Sequence, residues 1–282
     1  MIYSVVVNMQ VRDASAYHAV CGHHILSLFL HLIERADAAL AEELHRDTAV
    51  KPFTLSPLLP LASKNLPAAI QVGQAISFRV TLLDEKVFAV LADAIWRLPP
   101  EAGLSLGNLH VQCQDIVSTR GQSPWADFTT FSQLLNNAAS ETRIRLTFLS
   151  ATTFRSKGRR NILFPEPSLV FGSLLNRWNA TAGADYRLEL PAEVTSLVRI
   201  SNYRLGTRAL VFGSYQELGF SGQTTYEFSD NMAVEHVKTL NALADFAFYA
   251  GVGAKTTMGM GQCLRSEDAR ALSHRSKREG RE

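Results

Sequence analysis

The sequence has little cysteine and none of the usual metal-binding motifs. Its three cysteines, Cys21, Cys113 and Cys263, are widely spaced and form no Cys-x-x-Cys pair. This pattern argues against a disulfide framework or a zinc site and favours a reducing compartment. The eight histidines form no His-Glu-x-x-His motif, and the carboxylates do not cluster as a two-metal nuclease requires. We therefore expect no metal ion and no other cofactor.

Long hydrophobic runs and a strong net charge are also absent. No apolar run reaches membrane-spanning length, and residues 1–10 lack the basic start of a signal peptide. The formal net charge of +2 excludes a strongly basic nucleic-acid coat protein but leaves room for a local basic groove. No Gly-x-Ser-x-Gly motif supports a serine hydrolase. We expect a soluble, cytoplasmic protein without a membrane partner.

The hydrophobic periodicity predicts an α+β fold with two tandem ferredoxin-like domains. In the first half the order is strand, helix, strand, strand, helix, strand, which is typical of a ferredoxin-like unit. The predicted strands there are 2–11, 51–57, 74–83 and 109–118, and the predicted helices are 18–33, 37–44 and 86–98. The second half repeats the theme, with strands over 143–149, 194–203, 209–215, 224–228 and 262–264 and helices over 167–180 and 232–249. We expect domains over 1–125 and 126–265, with the boundary in 119–141, and a charged, flexible tail over 266–282.

A glycine-rich stretch, residues 251–261, follows the last predicted helix. Its four glycines let the backbone adopt positive φ and approach another surface, and successive amides turned towards one point can hold phosphate oxygens. We expect Val252 and Met260 to anchor the stretch, with Lys255, Thr256 and Thr257 available to a ligand. It is not a P-loop, because Ala254 precedes Lys255, and Thr256 stands where a dinucleotide loop has its third glycine. A tight turn without a ligand is the alternative.

A second candidate for phosphate binding is the densest internal basic cluster, which consists of Arg155, Lys157, Arg159 and Arg160. Guanidinium groups make bidentate contacts to phosphates, and a flexible basic loop can fit a hairpin stem. The alternative is a solvated loop that aids solubility. The basic residues of the tail are offset by nearby glutamates, and we expect them to be solvated.

Three stretches of the sequence resemble the Cas6 family, the endoribonucleases that cut CRISPR precursor transcripts into guide RNAs. The segment from Leu44 to Ser56, which contains His45 and Lys51, is similar to the catalytic N-terminal signature of the family. Residues 164–179 are similar to a segment common in one branch, and the glycine-rich stretch matches the family loop position by position. The resemblance covers residues 1–265. It implies two ferredoxin-like domains and metal-independent cleavage of the CRISPR repeat that leaves a 2′,3′-cyclic phosphate.

The resemblance also implies a set of functional residues. The implied catalytic residues are His45 and Lys51, with His31 as a tentative third group. The expected RNA-binding residues come from the glycine-rich stretch and from the basic cluster, and they are Gly251, Gly253, Lys255, Thr256, Gly259, Gly261, Arg155, Lys157, Arg159 and Arg160. Some members carry a tyrosine where this sequence has Leu30, so His31 beside it or His24 can take that role. Core filling or plain exposure is the alternative for both histidines.

These residue types suit RNA cleavage because the ribose 2′-OH is the nucleophile. A histidine can move either proton near neutral pH, and a lysine can stabilise the phosphorane. A histidine at a helix C-terminus such as His45 can instead be a favourable dipole contact. The competing function is a non-catalytic RAMP subunit that binds guide RNA inside an interference complex. A general single-strand binder ranks last, because an RNP-like signature is absent. The expected partners are repeat or guide RNA and other Cas proteins, with the chain a monomer or homodimer.

Overall fold

The computed structural model describes residues 1–14, 20–46, 50–61, 70–99, 101–156, 160–213 and 215–266. The predicted tail beyond residue 266, and Lys157 and Arg159 of the basic cluster, lie outside these residues. The chain forms two compact units. Unit 1 comprises Met1–Phe128, Phe212–Ser214 and Thr257–Gly259, and unit 2 comprises Thr129–Val211, Tyr215–Thr256 and Met260–Glu282.

Unit 1 has the predicted strand and helix order of a ferredoxin-like fold. Its strands are β1 (Ile2–Ala14), β2 (Phe53–Leu58), β3 (Ala75–Leu82), β4 (Leu104–Leu106), β5 (Leu109–Val117) and β6 (Asp127–Thr129, whose last residue belongs to unit 2), and its helices are α1 (Gly22–Ala36), α2 (Ala38–His45) and α3 (Glu85–Trp96). The sheet order is β2-β3-β1-β5-β4, with antiparallel neighbours throughout, and β6 pairs with β1. The short strands β4 and β6 are absent from the sequence-based prediction.

The core of unit 1 lies where the inward-facing residues of the strands pack against the apolar stripes of the helices. Alternate residues of β1, such as Val5 and Val7, are buried, and so is the apolar stripe of α1 that includes Phe29. Helix α1 begins at Gly22, four residues later than predicted, and the Cys21 backbone N–H donates to His24 Nδ1 (3.3 Å) at this start. Helix α2 begins as predicted, because the Asp37 side chain accepts from the Leu40 N–H (2.9 Å).

Unit 2 repeats the same topology with longer strands. It contains α4 (Phe131–Asn136), β7 (Arg143–Thr152), β8 (Phe154–Arg155), β9 (Asn161–Ile162), α5 (Pro167–Thr181), α6 (Ala192–Ser196), β10 (Val198–Phe212), β11 (Tyr215–Phe228), α7 (Val234–Ala250) and β12 (Cys263–Arg265). Its main sheet has the order β10-β11-β7-β12, and β8 pairs with β9. The two ferredoxin-like sheets confirm the predicted fold class.

The sequence-based strands 194–203 and 209–215 are wrong as separate elements. Residues 198–203 and 209–212 are parts of β10, a single strand of 15 residues at one edge of the sheet, whereas residues 194–196 belong to α6 and Tyr215 begins β11. The apolar pattern fails around Gly206 because an edge strand exposes most of its residues, so alternation is not enforced there. Strand β11 is likewise longer than the predicted 224–228.

The two long helices of unit 2, α5 and α7, begin and end close to the predicted positions, whereas the short helices α4 and α6 are absent from the sequence-based prediction. Helix α5 starts at Pro167, which is favourable at the first helical position, and α7 buries most of its length in the core. No helix within the described residues is both long and apolar enough to cross a membrane.

Candidate functional site

A groove of about 1030 Å³ lies in unit 1 between α1, α2 and the residues at the start of β4. Its polar lining consists of His23, Ser27, His31, Glu34, Glu42, His45 and Ser105. The spacing of these residues explains the grouping. On a helix, residues three or four apart share a face, and the groove face of α1 repeats at 23, 27, 31 and 34. The apolar face of α1 is buried in the core, and the polar side chains of residues 23, 27, 31 and 34 line this groove.

His45 is the last residue of α2, and its side chain is exposed on the groove. The first turn of α2 is fixed by Asp37, as described above, and Ala41 and Leu44 bury its apolar face. An exposed imidazole at a helix end is accessible to a large substrate such as RNA. The structure therefore brings two of the three expected catalytic residues, His31 and His45, to one groove.

Lys51 holds the end of the helix that carries His45. Its Nζ donates to the backbone carbonyl of Leu44 (2.8 Å) and to that of Arg46. The last carbonyls of a helix have no partner within the helix, and a cation there also interacts favourably with the helix dipole. The observed contacts of Lys51 therefore position the end of α2, whereas its expected contact with a phosphate stays a prediction.

The two histidines considered as a third group lie in different environments. His31 is exposed, and its Nδ1 lies 3.7 Å from Oε2 of Glu34. His24 is half-buried, accepts the Cys21 N–H, and packs so closely that a Cβ on Gly107 would lie 2.7 Å from its Nδ1. His24 therefore contributes to the start of α1, and His31 is the better placed of the two.

Sequence reasoning missed two residues that line the same groove, His23 and Ser27. The sequence does indicate that they share a face with His31, because His23, Ser27 and His31 are spaced by four residues on one helix. The structure adds that this face is open, while the face of Ile25 and Phe29 is buried as the apolar stripe predicts. The imidazole of His23 also makes an edge contact with Phe212, with ring centroids 5.4 Å apart.

The glycine-rich stretch is held by an internal network of backbone hydrogen bonds. The amides of six of its residues donate within the protein: Gly251, Val252, Gly253, Ala254, Met260 and Gly261. The acceptors include Thr153 O for Ala254 (2.9 Å) and Ser173 Oγ for Gly253 (3.0 Å). These six amides are therefore already paired within the protein, and the expected binding of a phosphate by the amides of the stretch stays a prediction.

The glycines of the stretch serve close packing. Gly253 has φ +82°, and a Cβ there would lie 2.4 Å from Thr153 O. Val252 and Met260 are fully buried, which confirms them as anchors. Contrary to expectation, Thr256 is also buried (2% exposed), and its methyl group packs beside Gly251 and Gly261. The proposed contact of Thr256 and the loop glycines with RNA stays a prediction.

Lys255 and Arg155, two of the expected RNA-binding cations, meet at one carboxylate in unit 2. Lys255 Nζ lies 2.6 Å from Glu217 Oε1, and Arg155 Nη2 lies 3.4 Å from the same oxygen. Asn161 Nδ2 donates to the other oxygen, Oε2 (2.8 Å). These hydrogen bonds, first that of Lys255 and then that of Asn161, lower the pKa of Glu217. Lys255 also donates to the Tyr215 hydroxyl (3.0 Å).

The other described residue of the basic cluster, Arg160, is exposed beside β9. Within the described part of the chain, no three His, Cys, Asp or Glu side chains are placed to hold a metal ion together.

The two consecutive ferredoxin-like units define the class of protein by its fold. A solved structure described as an RAMP protein binding different RNA substrates shares this fold, with a TM-score of 0.57 at 16% identity. The chain belongs to the Cas6 family. The family profile for the CRISPR Cas6 N-terminal domain matches residues 1–136, and that for CRISPR-associated endoribonuclease Cas6 matches residues 146–263.

Particular relatives support the same assignment. A CRISPR-associated endoribonuclease Cas6 from Mycobacterium tuberculosis is 34% identical over 130 residues, which are 44% of this chain and 39% of the relative. The match therefore spans well under two thirds of that relative. A Cas6 product complex has a TM-score of 0.78 at 28% identity, covering 94% of this chain and all of the other. Thermus thermophilus Cas6 has a TM-score of 0.71 at 27% identity, covering 94% of this chain and 98% of the other.

Proposed function

We propose that this chain is a metal-independent endoribonuclease that cleaves CRISPR repeat RNA in precursor transcripts and yields guide RNAs. The observation that carries the proposal is the groove of unit 1, where His45 is exposed at the end of α2 beside His31. Both histidines lie within the part of the chain that the Cas6 N-terminal profile matches. Membership of an endoribonuclease family and the shape of this groove together favour a nuclease acting on cytoplasmic RNA.

The chemistry follows from the substrate. A base removes the proton of the ribose 2′-OH, the 2′-oxygen attacks phosphorus, and the bond to the 5′-oxygen breaks as that oxygen takes up a proton. The product is a 2′,3′-cyclic phosphate. His45 serves as the acid or base, a role that contributes about 10²- to 10⁴-fold to the rate. His31 is the candidate for the second proton transfer, and Lys51 supplies positive charge at the same helix end.

Binding is assigned to unit 2. Arg155, Arg160 and Lys255 present positive charge near the β8–β9 hairpin and the glycine-rich stretch. Lys157 and Arg159 extend the same basic segment in sequence. Contacts of this kind with phosphates position an RNA without reading its sequence. We assign the glycines of the stretch a role in letting the RNA backbone approach closely.

A non-catalytic RAMP subunit that binds guide RNA inside an interference complex is the second candidate. One observation favours it, because the expected catalytic Lys51 already donates to the carbonyls of Leu44 and Arg46. Such a subunit keeps the same fold and needs no imidazole on the groove.

Cleavage of the repeat RNA from the CRISPR array of the same genome, in EDTA, separates the two functions. We expect the wild-type protein to cut the RNA at one position and to leave a cyclic phosphate. His45→Ala should slow cleavage by about 10²- to 10⁴-fold while changing RNA affinity only a few-fold. His110→Ala is the matched control, because His110 is exposed on β5 of the same unit and is not among the groove residues. Intact RNA with bound wild-type protein favours the non-catalytic subunit. Normal cleavage by His45→Ala overturns the assignment of His45.

A further inference from the structure

The carboxylate of Glu217 is the meeting point of three separate segments of unit 2. Arg155 and Asn161 come from the β8–β9 hairpin, Lys255 comes from the glycine-rich stretch, and Glu217 itself is on β11. The Glu217 and Lys255 side chains are only 15% and 13% exposed, while Arg155 is 50% exposed. The cluster therefore lies at the edge of the surface, with its cationic side partly open to solvent.

The donors around Glu217 are those that a nucleic-acid phosphate uses. An ammonium and a guanidinium both point at Oε1, and an amide NH₂ donates to Oε2. A phosphate presents the same geometry, with two anionic oxygens that accept charge-assisted hydrogen bonds. The side-chain charges of Arg155, Glu217 and Lys255 sum to +1, so the cluster still attracts an anion while its own carboxylate is in place.

We propose that Glu217 is an internal anion that occupies the Arg155–Lys255 site in the RNA-free protein, and that an RNA phosphate takes its place on binding. The inference rests on the proposed function, which makes these two cations contact RNA. Glu217 thereby limits the affinity of unit 2 for polyanions. A nucleic acid gains contact with Lys255 and Arg155 only when its phosphate competes successfully with a carboxylate that is already hydrogen-bonded. This competition suppresses binding of RNA that lacks the other contacts of the repeat.

A purely structural role for Glu217 makes the opposite prediction for affinity. If the carboxylate only ties Lys255 to the hairpin, its loss loosens both segments and weakens RNA binding. If the carboxylate competes with phosphate, its neutral isostere leaves two cations ready for RNA and strengthens binding. The sign of the change therefore distinguishes the two roles.

The experiment measures affinity and its salt dependence for Glu217→Gln in the His45→Ala background, which keeps the RNA intact. The probes are the repeat RNA and a uridine homopolymer of the same length. We expect Glu217→Gln to bind the homopolymer roughly three- to tenfold more tightly at low salt, with a log–log salt slope steeper by roughly 1. Glu227→Gln is the control for net charge, because Glu227 is on the same strand and also pairs with two arginines, Arg143 (3.4 Å) and Arg199 (2.9 Å). We expect it to change affinity less than twofold, by analogy with exposed ion pairs.

Weaker or unchanged binding by Glu217→Gln, or an equal gain with Glu227→Gln, overturns the inference. If Glu217→Gln does not fold, the double variant Glu217→Gln/Lys255→Met removes both charges of the pair and carries the test. It should bind the homopolymer more tightly than Lys255→Met alone, because Arg155 then no longer pairs with a carboxylate, whereas a purely structural role predicts weaker binding. Binding equal to or weaker than that of Lys255→Met also overturns the inference. If the parent protein does not bind the repeat RNA at all, the proposed function itself has failed.

Discussion

The groove of unit 1 and the glycine-rich stretch, most of which lies in unit 2, differ in how many of their polar groups already have partners within the protein. In the groove, His31 and His45 are exposed on helix faces. In the glycine-rich stretch, six amides have acceptors within the protein, and Thr256, Val252 and Met260 are buried. The difference shows that a glycine-rich sequence can serve close packing even where it resembles a ligand-binding loop. Substitutions in the glycine-rich stretch should therefore mainly lower the stability of the protein, whereas substitutions in the groove should mainly slow the reaction.

The largest effect on the folded state should come from Gly253→Ala. The added Cβ would lie 2.4 Å from a backbone oxygen, and the residue would keep a φ of +82° that is unfavourable for alanine. We expect a loss of about 2–4 kcal/mol in the free energy of unfolding, measured by urea denaturation. Gly206→Ala is the matched control, because a Cβ there meets no atom within 4 Å. Equal stability of the two variants would contradict the packing role of the stretch.

A substitution at the groove should change the reaction more than the fold. Lys51→Met removes the contacts with the carbonyls of Leu44 and Arg46 and the positive charge beside His45. We expect single-turnover cleavage to slow by roughly 10- to 100-fold, with a stability loss of about 1 kcal/mol. Lys86→Met, at an exposed position in the first turn of α3, should leave the rate unchanged. A stability loss as large as that of Gly253→Ala would remove the distinction between the two regions.

The smallest effect should appear in the acid range. Hydrogen bonds, led by that of Lys255, lower the pKa of Glu217 below its ordinary value of 4.5. A carboxylate whose pKa is lowered in the folded protein stabilises the fold at pH values above its ordinary pKa. This stabilisation is lost as the pH falls through the lowered pKa of the folded state. We expect wild type to exceed Glu217→Gln by about 1 kcal/mol at neutral pH, and the difference to vanish in strong acid. Urea titrations at both pH values measure it, and a constant difference would contradict this account.

Local patterns predicted most of the fold. The apolar stripe of α1, the Asp37 cap and the Pro167 start are features of adjacent residues, and each appears where periodicity or capping places it. Strand β10 was missed as one element because an exposed edge strand carries no regular apolar alternation. The position of His45 at the end of α2 followed from the same local signals.

The parts of the site that escaped prediction depend on distant contacts. The pairing of Arg155 with Glu217 joins residues 62 apart in sequence, and no local pattern reveals it. The groove position of His23 depends on which face of α1 the rest of unit 1 leaves open. The amides of the glycine-rich stretch found acceptors on β7 and α5, which the sequence could not indicate.

The exposed edge of β10 carries its own protection against self-association. The free edge of a strand of this length can template the addition of another chain, and aromatic or aliphatic side chains such as Tyr203 and Val211 would favour it. Arg204 is exposed on the same strand, so a second copy that docks along it meets like charge. Added salt screens that repulsion. Concentrated stocks of the protein should consequently stay clear longest in buffers of low ionic strength.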